Sequence, residues 1–559
     1  MIAIDEQSTI GETFFRAAEA YADHAFLAVP ANPARAYAPE GVEISYREAA
    51  EQVRALTGIY AGAGYGVGHR IGLLLENRPE HLLHKLALNA LGICCVPLNP
   101  DHRPNELAYV VDHASIDLVV CIASLAPVLQ AALRETRQQP VVVPFEVFEA
   151  LDSSRPSLAP PAVRAASTAP DGQTPASVLY TSGTTGRPKG CVLSHRYELA
   201  SGAWYATRDG LCTFGEACER LYNPLPVFHV NASIFSFFCV MLKGNCQVQT
   251  DRFQTARWWT EVRESRATVV HYLGVVVPML LGQPESAQDR AHQVRFAIGA
   301  GVEPQRHATF EARFGFPLIE IWGMTEMVRA MIDNHPPRQV GTRAFGRAQP
   351  GVEVRVVDDA DGDVPDGTDG EMVIRHSEAT PRKDFFSGYL DDPAATEQSW
   401  RGGWFHTGDI VTRAADGMLH FVDRRKNIIR RSGENIAAAE VEALLQTHPL
   451  VEHVAVLAVQ DEIREEEVLA CLVLRGVPAS AADVDAAVRT LFDFCHARLA
   501  YYKAPGWVWV TDRIPTTATQ KVQKHQIFPQ GVDPRGLAGM RDLRGWKKRD
   551  APTPLPAPR

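Results

Sequence analysis

The chain has 559 residues, of which 46% are hydrophobic and 22% are charged, and its formal net charge is −10. This composition is typical of a globular protein, and the length predicts two or more domains. The acidic charge argues against a nucleic-acid-binding protein, and ten scattered cysteines without a Cys-x-x-Cys pair argue against a disulfide scaffold or a structural zinc site.

Neither a targeting segment nor a membrane span is predicted. The first fifteen residues lack the basic start and apolar core of a signal peptide. No uninterrupted apolar run reaches the ~18–20 residues that a membrane helix requires. We therefore expect a cytoplasmic protein, and the sequence leaves a homodimer open.

Short apolar runs alternate with helical patterns in the first third of the chain. Strands are predicted over 70–75, 116–120 and 141–143, and helices over 79–91 and 105–113. This alternation predicts an α/β fold with parallel sheets. A stretch rich in Pro, Ala and Ser, residues 153–175, is predicted to be an exposed connection.

Residues 180–190, YTSGTTGRPKG, follow an apolar run and form the most distinctive segment. Glycine lets the backbone approach a ligand and turn its N–H groups inward, hydroxyl groups add donors, and Lys189 adds a cation suited to phosphate. The segment therefore predicts a phosphate-binding loop. It is not a Walker A loop, because Gly190 stands where that motif needs a Ser or Thr after the lysine.

Further motifs follow in chain order. They are NPLPVFHVN at 223–231, IGAGVEP at 298–304, IWGMTE at 321–326, WFHTGD at 404–409, DRRKNIIRRSGENIAAAEVE at 423–442 and TTATQKVQK at 516–524. Together with the loop, this series resembles the adenylate-forming superfamily, which contains acyl-CoA synthetases, stand-alone adenylation domains and luciferases. Residues 423–442 and 461–474 look most like crotonobetaine/carnitine-CoA ligases and related ligases of small or medium acids.

The resemblance implies a site for ATP. The phosphate loop would act through Thr181, Ser182, Gly183, Thr184, Thr185, Gly186 and Lys189. One wall of the adenine site would be Gly299, Ala300 and Gly301. Trp322, beside Gly323, would stack on the base, and Asp409 and Arg424 would bind the ribose hydroxyls.

Four residues are implied in catalysis. Glu326 would hold Mg²⁺, because this cation takes few carboxylates together with phosphate oxygens, and Thr325 could donate to a phosphate. His229 would line the acyl pocket and help to place the substrate carboxylate. Lys521 would bridge that carboxylate and the α-phosphate.

The chain departs from the superfamily pattern at three positions. Trp322 stands where most relatives have Tyr, Ala438 where most have Pro, and Gln520 where a Gly usually precedes the catalytic lysine. Stacking on adenine survives the first change, but the phenol hydroxyl is lost. A cationic substrate would need an aromatic or anionic cradle, and the sequence leaves open which of Trp204, Trp258 and Trp259 face the pocket.

The pattern predicts a large N-terminal α/β domain over 1–422 and a small α+β domain over 423–530. A hairpin is expected at 352–357 and 371–375, and the small domain should contain helices at 437–446 and 481–500 with strands at 451–459 and 468–474. Lys426 falls on the superfamily's hinge position, and Gly433 would let the pantetheine chain of CoA pass close to the backbone. Residues 531–559, rich in basic residues and Pro, are predicted to be a flexible tail.

The resemblance implies two half-reactions that use ATP, Mg²⁺ and coenzyme A. A carboxylic acid is activated as an acyl-adenylate with release of pyrophosphate, and the acyl group then passes to the CoA thiol. An enzyme that loads a carrier-protein phosphopantetheine is the alternative. A non-catalytic nucleotide-binding homologue and a luciferase-like oxygenase are more remote. The sequence leaves the identity of the acid open.

Overall fold

The computed structural model describes residues 1–148, 158–181, 188–274, 276–424, 428–476, 480–515, 522, 524–529 and 532–549. The chain divides into two compact units. The first unit comprises residues 1–100, 109–180 and 190–423, and the second comprises residues 101–108, 181–189 and 424–559.

Eleven helices precede residue 424 among the described residues. They are α1 (Ile10–Ala20), α2 (Tyr46–Gly62), α3 (Pro79–Ala90), α4 (Pro104–His113), α5 (Ala126–Leu133), α6 (His195–Ala206), α7 (Ser236–Lys243), α8 (Trp258–Glu264), α9 (Val276–Leu281), α10 (Pro304–Phe314) and α11 (Pro393–Ser399). The start of α2 is set by a capping box, in which Ser45 and Glu48 exchange side-chain and backbone hydrogen bonds. Gly244, with φ of 68°, ends α7 in the left-handed region.

Twenty strands lie in the same part of the chain. They are β1 (Ala25–Val29), β2 (Val42–Ser45), β3 (Arg70–Leu74), β4 (Cys94–Pro97), β5 (Leu118–Cys121), β6 (Val141–Pro144), β7 (Pro175–Thr181), β8 (Lys189–Ser194), β9 (Arg220–Asn223), β10 (Cys246–Gln249), β11 (Val269–His271), β12 (Phe296–Gly299), β13 (Leu318–Met324), β14 (Met327–Ile332), β15 (Ala344–Gly346), β16 (Glu353–Val357), β17 (Asp369–Arg375), β18 (Gly388–Tyr389), β19 (Phe405–Arg413) and β20 (Leu419–Arg424).

These strands form three sheets. The eight-stranded sheet has the order β14-β13-β12-β11-β9-β10-β1-β2, and it is parallel except for its antiparallel edge strands β14 and β2. The seven-stranded sheet has the order β18-β8-β7-β4-β3-β5-β6, and the five-stranded sheet has the order β15-β20-β19-β17-β16. The α/β prediction is confirmed, and strands such as β5 are continuous apolar runs because they are completely buried.

A buried cluster of three polar side chains links β7 to two helices of the first unit. Lys85 Nζ on α3 lies 2.8 Å from Glu198 Oε2 on α6, and Ser177 Oγ on β7 donates to Glu198 Oε1 at 2.5 Å. Lys85 and Glu198 are almost fully buried, so each charge depends on its partner. The pair fixes β7 four residues before its end at Thr181.

The second unit continues the chain with two helices and six strands among its described residues. They are β21 (Ile428–Arg431), β22 (Glu434–Ala437), α12 (Ala438–Gln446), β23 (Val451–Asp461), β24 (Glu465–Leu474), α13 (Ala481–His496), β25 (Trp507–Val510) and β26 (Met540–Asp542). The sheet order is β22-β21-β24-β25-β26, and β23 also pairs with β24. Helix α13 ends at His496, four residues before its predicted end, and Leu499 and Ala500 turn into the core of this unit.

The structure differs from the predicted flexible tail. Residues 540–542 form β26, which pairs antiparallel with β25, and Leu543 is buried in the core of the second unit. Arg544 binds Asp461 and Asp542, and Lys547 is fully buried. Composition suggested a solvated end, but a few apolar and ion-paired side chains suffice to fix this segment. Residues 550–559 lie outside the described residues.

Within the described ranges, no helix is both long enough and apolar enough to span a membrane.

Candidate active site

Trp322 and Asp409, which the motifs assign to adenine and ribose, are brought into contact in the first unit. Trp322 lies on β13 and Asp409 on β19, and Trp322 Nε1 donates to Asp409 Oδ2 at 2.8 Å. The exposed fraction is 6% for Trp322 and 1% for Asp409. The indole N–H therefore supplies a donor to the buried carboxylate, an interaction that the sequence did not reveal.

The backbone around Asp409 is held by residues that were not predicted. Glu371 on β17 accepts from Gly408 N at 3.0 Å, and His406 Nδ1 lies 3.2 Å from its other carboxylate oxygen. Burial alone would raise the pKa of Glu371, but hydrogen bonds from His406 and Gly408 bring it below its usual value. Gly408 has φ of 73°, a conformation that favours glycine.

The turn at Gly299, Ala300 and Gly301 follows β12 and is fixed by Glu320 on β13. Gly301 N and Val302 N donate to the Glu320 carboxylate at 3.2 and 3.1 Å, and Tyr272 Oη donates to it at 3.0 Å. Burial raises the pKa of Glu320. Its sequence signal is a lone Glu within the apolar strand LIEIWGM.

The same turn requires glycine at its first position. A Cβ on Gly299 would lie 2.3 Å from the carbonyl oxygen of Tyr272. Strand β12 pairs with β13 so that Gly299 is opposite Glu320, two residues before Trp322. The predicted adenine wall and the predicted stacking residue therefore lie on neighbouring strands, beside Gly323.

Thr325 and Glu326 lie between β13 and β14, and two tyrosines hold them. Tyr197 Oη donates to Thr325 O at 2.6 Å, and Tyr389 Oη donates to Glu326 Oε1 at 2.7 Å. Burial and the nearby Glu326 carboxylate raise the pKa of Tyr389, so its hydroxyl stays protonated and remains a donor. Tyr389 pairs with Cys191 on β8.

The geometry of Glu326 suits a hard cation. A carboxylate with one oxygen held by Tyr389 is an oxygen ligand of fixed direction. No group of three or more His, Cys, Asp or Glu side chains in the described part of the chain could hold a metal ion. A Mg²⁺ ion at Glu326 would therefore take most of its ligands from the nucleotide and from water.

His229 lies in a turn that Asn77 fixes. Asn77 accepts from Val227 N at 2.8 Å and donates to Leu225 O at 2.9 Å. His229 N donates to Pro226 O at 3.1 Å, and the imidazole of His229 lies against the ring of Phe228. Both side chains are half-buried.

A buried polar network continues from this turn into a π-helical turn, Asn231–Phe235. Asn223 Nδ2 donates to Asn231 Oδ1 at 3.0 Å, and His271 Nδ1 lies 2.7 Å from the same oxygen. Because Asn231 Oδ1 is an acceptor, His271 carries its proton on Nδ1, and Tyr205 Oη donates to His271 Nε2 at 2.9 Å. Burial lowers the pKa of His271 to about 3, so the imidazole stays neutral.

The three tryptophans considered for a cationic substrate have other neighbours. Trp258 packs against Tyr222 and Phe253, and Trp259 packs against His292 and Phe314. The guanidinium of Arg208 lies 4.2 Å from the ring centroid of Trp204.

The phosphate loop is described only at its ends. Thr181 is the last residue of β7 and Lys189 the first of β8, and Thr181 Oγ1 donates to Lys189 O at 3.5 Å. Ser182, Gly183, Thr184, Thr185 and Gly186 lie outside the described residues. So do the predicted hinge Lys426 and the predicted catalytic Lys521, and Arg424 is the last residue of β20.

Gly433 lies in a two-residue hairpin turn of the second unit. The turn joins β21 to β22, and both of its residues have positive φ, 51° at Ser432 and 87° at Gly433. This is the geometry of a type I′ turn, which explains glycine at the second position. Ala438, where most relatives have Pro, is the first residue of α12.

Comparison with known proteins places these residues in a family context. The family profile described as AMP-binding enzyme matches residues 14–390, and that of the AMP-binding enzyme C-terminal domain matches residues 440–521. A crotonobetaine/carnitine–CoA ligase from Citrobacter koseri is 28% identical over 508 residues, which cover 87% of this chain and 94% of that protein.

Solved structures share the fold over most of the chain. An o-succinylbenzoate CoA synthetase from Bacillus subtilis superposes with a TM-score of 0.77 at 21% identity, covering 93% of this chain and 98% of that one. An amide bond synthetase from Marinactinospora thermotolerans superposes with a TM-score of 0.76 at 25% identity, covering 93% and 99%.

Proposed function

The chain belongs to the AMP-binding enzyme family, and on that premise we propose that it is an ATP-dependent, AMP-forming acid–CoA ligase. Its substrate would be a small or medium-sized carboxylic acid. The observation that carries this proposal is the hydrogen bond from Trp322 to the buried Asp409, beside the turn that Glu320 holds. An aromatic face can stack on adenine, a fixed carboxylate can accept hydrogen bonds from the ribose hydroxyls, and a glycine turn lets the backbone approach the base, so these groups support adenosine binding.

In the first half-reaction, a carboxylate oxygen of the acid attacks the α-phosphorus of ATP, and the bond to the pyrophosphate leaving group breaks. Trp322, Asp409 and the turn at Gly299 would hold the adenosine, while Lys189 and the loop would hold the phosphates. Lys521 would neutralise the charge that develops between carboxylate and α-phosphate. Mg²⁺ at Glu326 would supply further charge neutralisation on the phosphates.

In the second half-reaction, the CoA sulfur attacks the acyl carbonyl carbon, the thiol proton is lost, and AMP leaves with the bonding electron pair. The small domain would rotate about Lys426, which would withdraw Lys521 and bring the turn at Gly433 to the thiol's path. Gly433 has no side chain and a left-handed backbone, so a pantetheine chain could lie close to it.

CoA is favoured over a carrier protein as acceptor, because the Citrobacter koseri relative is a CoA ligase. A cytoplasmic location fits an enzyme that consumes ATP and CoA.

The test of the reaction is pyrophosphate release with ATP and Mg²⁺ across a panel of acids, with and without CoA. The panel should contain short-chain, medium-chain, aromatic, dicarboxylic and betaine-type acids. We expect pyrophosphate release and a CoA-dependent thioester with at least one acid of the panel, and the acid with the highest kcat/KM would give the substrate class. Pyrophosphate without thioester would favour a carrier-protein acceptor.

A variant separates the half-reactions. Lys521→Ala should lower adenylate formation by roughly 10²–10³-fold, because it removes a charge aimed at the transition state, and should leave transfer from supplied acyl-AMP largely intact. Lys524→Ala is the matched control, since Lys524 is ion-paired to Glu442 at 2.6 Å. Equal loss of both steps in Lys521→Ala would contradict the proposal that the enzyme uses a different conformation for each half-reaction.

A further inference from the structure

Three charged side chains of the second unit form a buried cluster around Glu467. Arg431 Nε lies 2.7 Å from Glu467 Oε2, and Lys547 Nζ lies 2.5 Å from Glu467 Oε1. The exposed fraction of the side chain is 0% for Glu467 and Lys547 and 2% for Arg431. Lys547 Nζ also donates to Tyr502 O at 2.9 Å. Charges buried this deeply are costly unless each keeps its partners, so the cluster ties its three elements together.

One end of the cluster is the hairpin turn at 432–433. Arg431 is the last residue of β21 and immediately precedes the turn. On the backbone, Arg431 is opposite Glu465 of β24, and Ser432 N donates to Arg464 O at 3.0 Å. The Arg431 side chain adds a second anchor to β24 through Glu467, so the position of the turn depends on that carboxylate.

The other end of the cluster is the C-terminal segment 532–549, which lies beyond the family match at 440–521. Strand β26 pairs with β25, and Leu543 N donates to Gly506 O at 2.8 Å. Gly506 leaves the space that Glu467 occupies, since a Cβ there would lie 2.4 Å from Glu467 Cδ. The segment thereby places Lys547 against Glu467 Oε1, while Arg431 contacts the other oxygen, Oε2.

We propose that Lys547 is a positioning residue, through which the segment 532–549 holds the turn at 432–433 in the geometry that transfer of the acyl group to the thiol requires. The inference rests on the proposed function, in which the pantetheine chain passes Gly433. Lys547 fixes Glu467 Oε1, which directs Glu467 Oε2 at Arg431 and so orients the start of the turn. Without Lys547, Glu467 Oε1 loses its ion pair and keeps the hydrogen bond from Val468 N at 2.9 Å, so the carboxylate is held less firmly, and Tyr502 O loses the hydrogen bond from Lys547 Nζ.

The test is Lys547→Met in the full-length protein, which keeps the length of the side chain and removes its charge. Hydrogen–deuterium exchange of a peptide spanning 428–437 should become about tenfold faster than in the wild type. The KM for CoA should rise about tenfold in thioester formation, and acid-dependent pyrophosphate release should stay within about twofold. A selective effect on KM for CoA is a result that general destabilisation would not produce.

The matched control is Lys548→Met, because Lys548 is the next residue and its side chain is exposed. It should leave both the exchange rate and the KM for CoA unchanged. Unchanged exchange at 428–437 in Lys547→Met, or an equal loss of both half-reactions, would overturn the proposal. If the wild type itself forms no adenylate from any acid, the proposed function fails, while the exchange measurement still decides whether Lys547 holds the turn.

Discussion

Trp322 shows how a residue that departs from a family motif can keep the site intact. The substitution of Trp for Tyr removes a hydroxyl, but the indole N–H donates to Asp409, which is 1% exposed. A carboxylate buried this deeply needs donors, because an unpaired buried charge is costly. The ring can therefore present its face to a base while its edge fixes the carboxylate.

We expect Trp322→Phe to weaken ATP use. The variant keeps an aromatic face but loses the hydrogen bond to a charged group, which is worth about 1.5–3 kcal/mol. The KM for ATP in pyrophosphate release should rise at least tenfold. The control is Trp258→Phe, since the Trp258 ring is buried and its N–H has no hydrogen-bond partner among the described residues. An unchanged KM in Trp322→Phe would contradict a role for this contact in nucleotide binding.

The lowered pKa of Lys547 predicts how the free energy of unfolding depends on pH. Burial and the nearby Arg431 and Arg464 lower the pKa of Lys547 to about 7, and Glu467 acts in the opposite direction. An unfolded lysine titrates near pKa ~10.4, so between about pH 7 and ~10 the unfolded chain binds more protons than the folded one. The contribution of this group to the free energy of unfolding therefore rises with pH through that range, by at most about 1.4 kcal/mol per pH unit.

Comparing the melting temperatures of the wild type and of Lys547→Met isolates the contribution of Lys547. The melting temperature of the wild type minus that of Lys547→Met should increase from pH 7 to pH 9.5, because the titrating groups distant from residue 547 contribute equally to both proteins. A difference that stays constant or shrinks over this range would show that Lys547 keeps an ordinary pKa in the folded protein.

At the scale of elements, pairs of neighbouring strands build the nucleotide site. Strand β13 carries Glu320, which receives the backbone N–H groups of the turn after β12, and two residues later it carries Trp322. Alternation along a strand places these two side chains on the same face. The turn is thus positioned by its neighbour and not only by its own glycines.

Gly299→Ala tests this packing. The added Cβ would lie 2.3 Å from Tyr272 O, so the turn must move. We expect the KM for ATP to rise at least tenfold and the melting temperature to fall, because the clash is with the backbone and the buried ring of Tyr272. Gly62→Ala in α2 is the control, since its Cβ position has no neighbouring atom within 4 Å apart from the adjacent residues and the nearby backbone of its own helix, and it should leave catalysis unchanged. Wild-type kinetics in Gly299→Ala would argue against this turn as an adenine wall.

At the scale of the whole molecule, the two units are stabilised in different ways. The first unit has a large apolar core that joins three sheets. The second is smaller, and its core is completed by Leu543 and by the ion cluster of Lys547, both from the C-terminal segment. Small domains have little surplus apolar burial, so a short terminal segment can contribute much of their stability.

Two truncations test this division. A chain that ends at residue 531 should lose β26, Leu543 and Lys547, which should destabilise the second unit by on the order of 3 kcal/mol or more. A chain that ends at residue 550 should match the full-length protein. Limited proteolysis and thermal unfolding would report both. Equal resistance of the two truncated chains would contradict a structural role for 532–549.

Much of the fold could be predicted from the sequence, because continuous apolar runs and helical periodicity are local signals. The hairpin of β16 and β17 was predicted from its Asp- and Gly-rich turn and is confirmed. Composition was misleading at residues 540–542, which were predicted to belong to a flexible tail but form β26 against β25. A strand whose partner lies about thirty residues earlier in the chain has no local sequence signal.

By itself, the sequence determined the family, the α/β class and the order of the motifs, since these depend on residue types at fixed spacing along the chain. Only the tertiary structure decided which side chains support them. Four such contacts join residues that are 19 to 87 positions apart in the chain. They are the hydrogen bonds from Trp322 to Asp409, from Gly301 N to Glu320, from Tyr389 to Glu326 and from Lys547 to Glu467. Such contacts depend on strand order and burial, which no local pattern encodes.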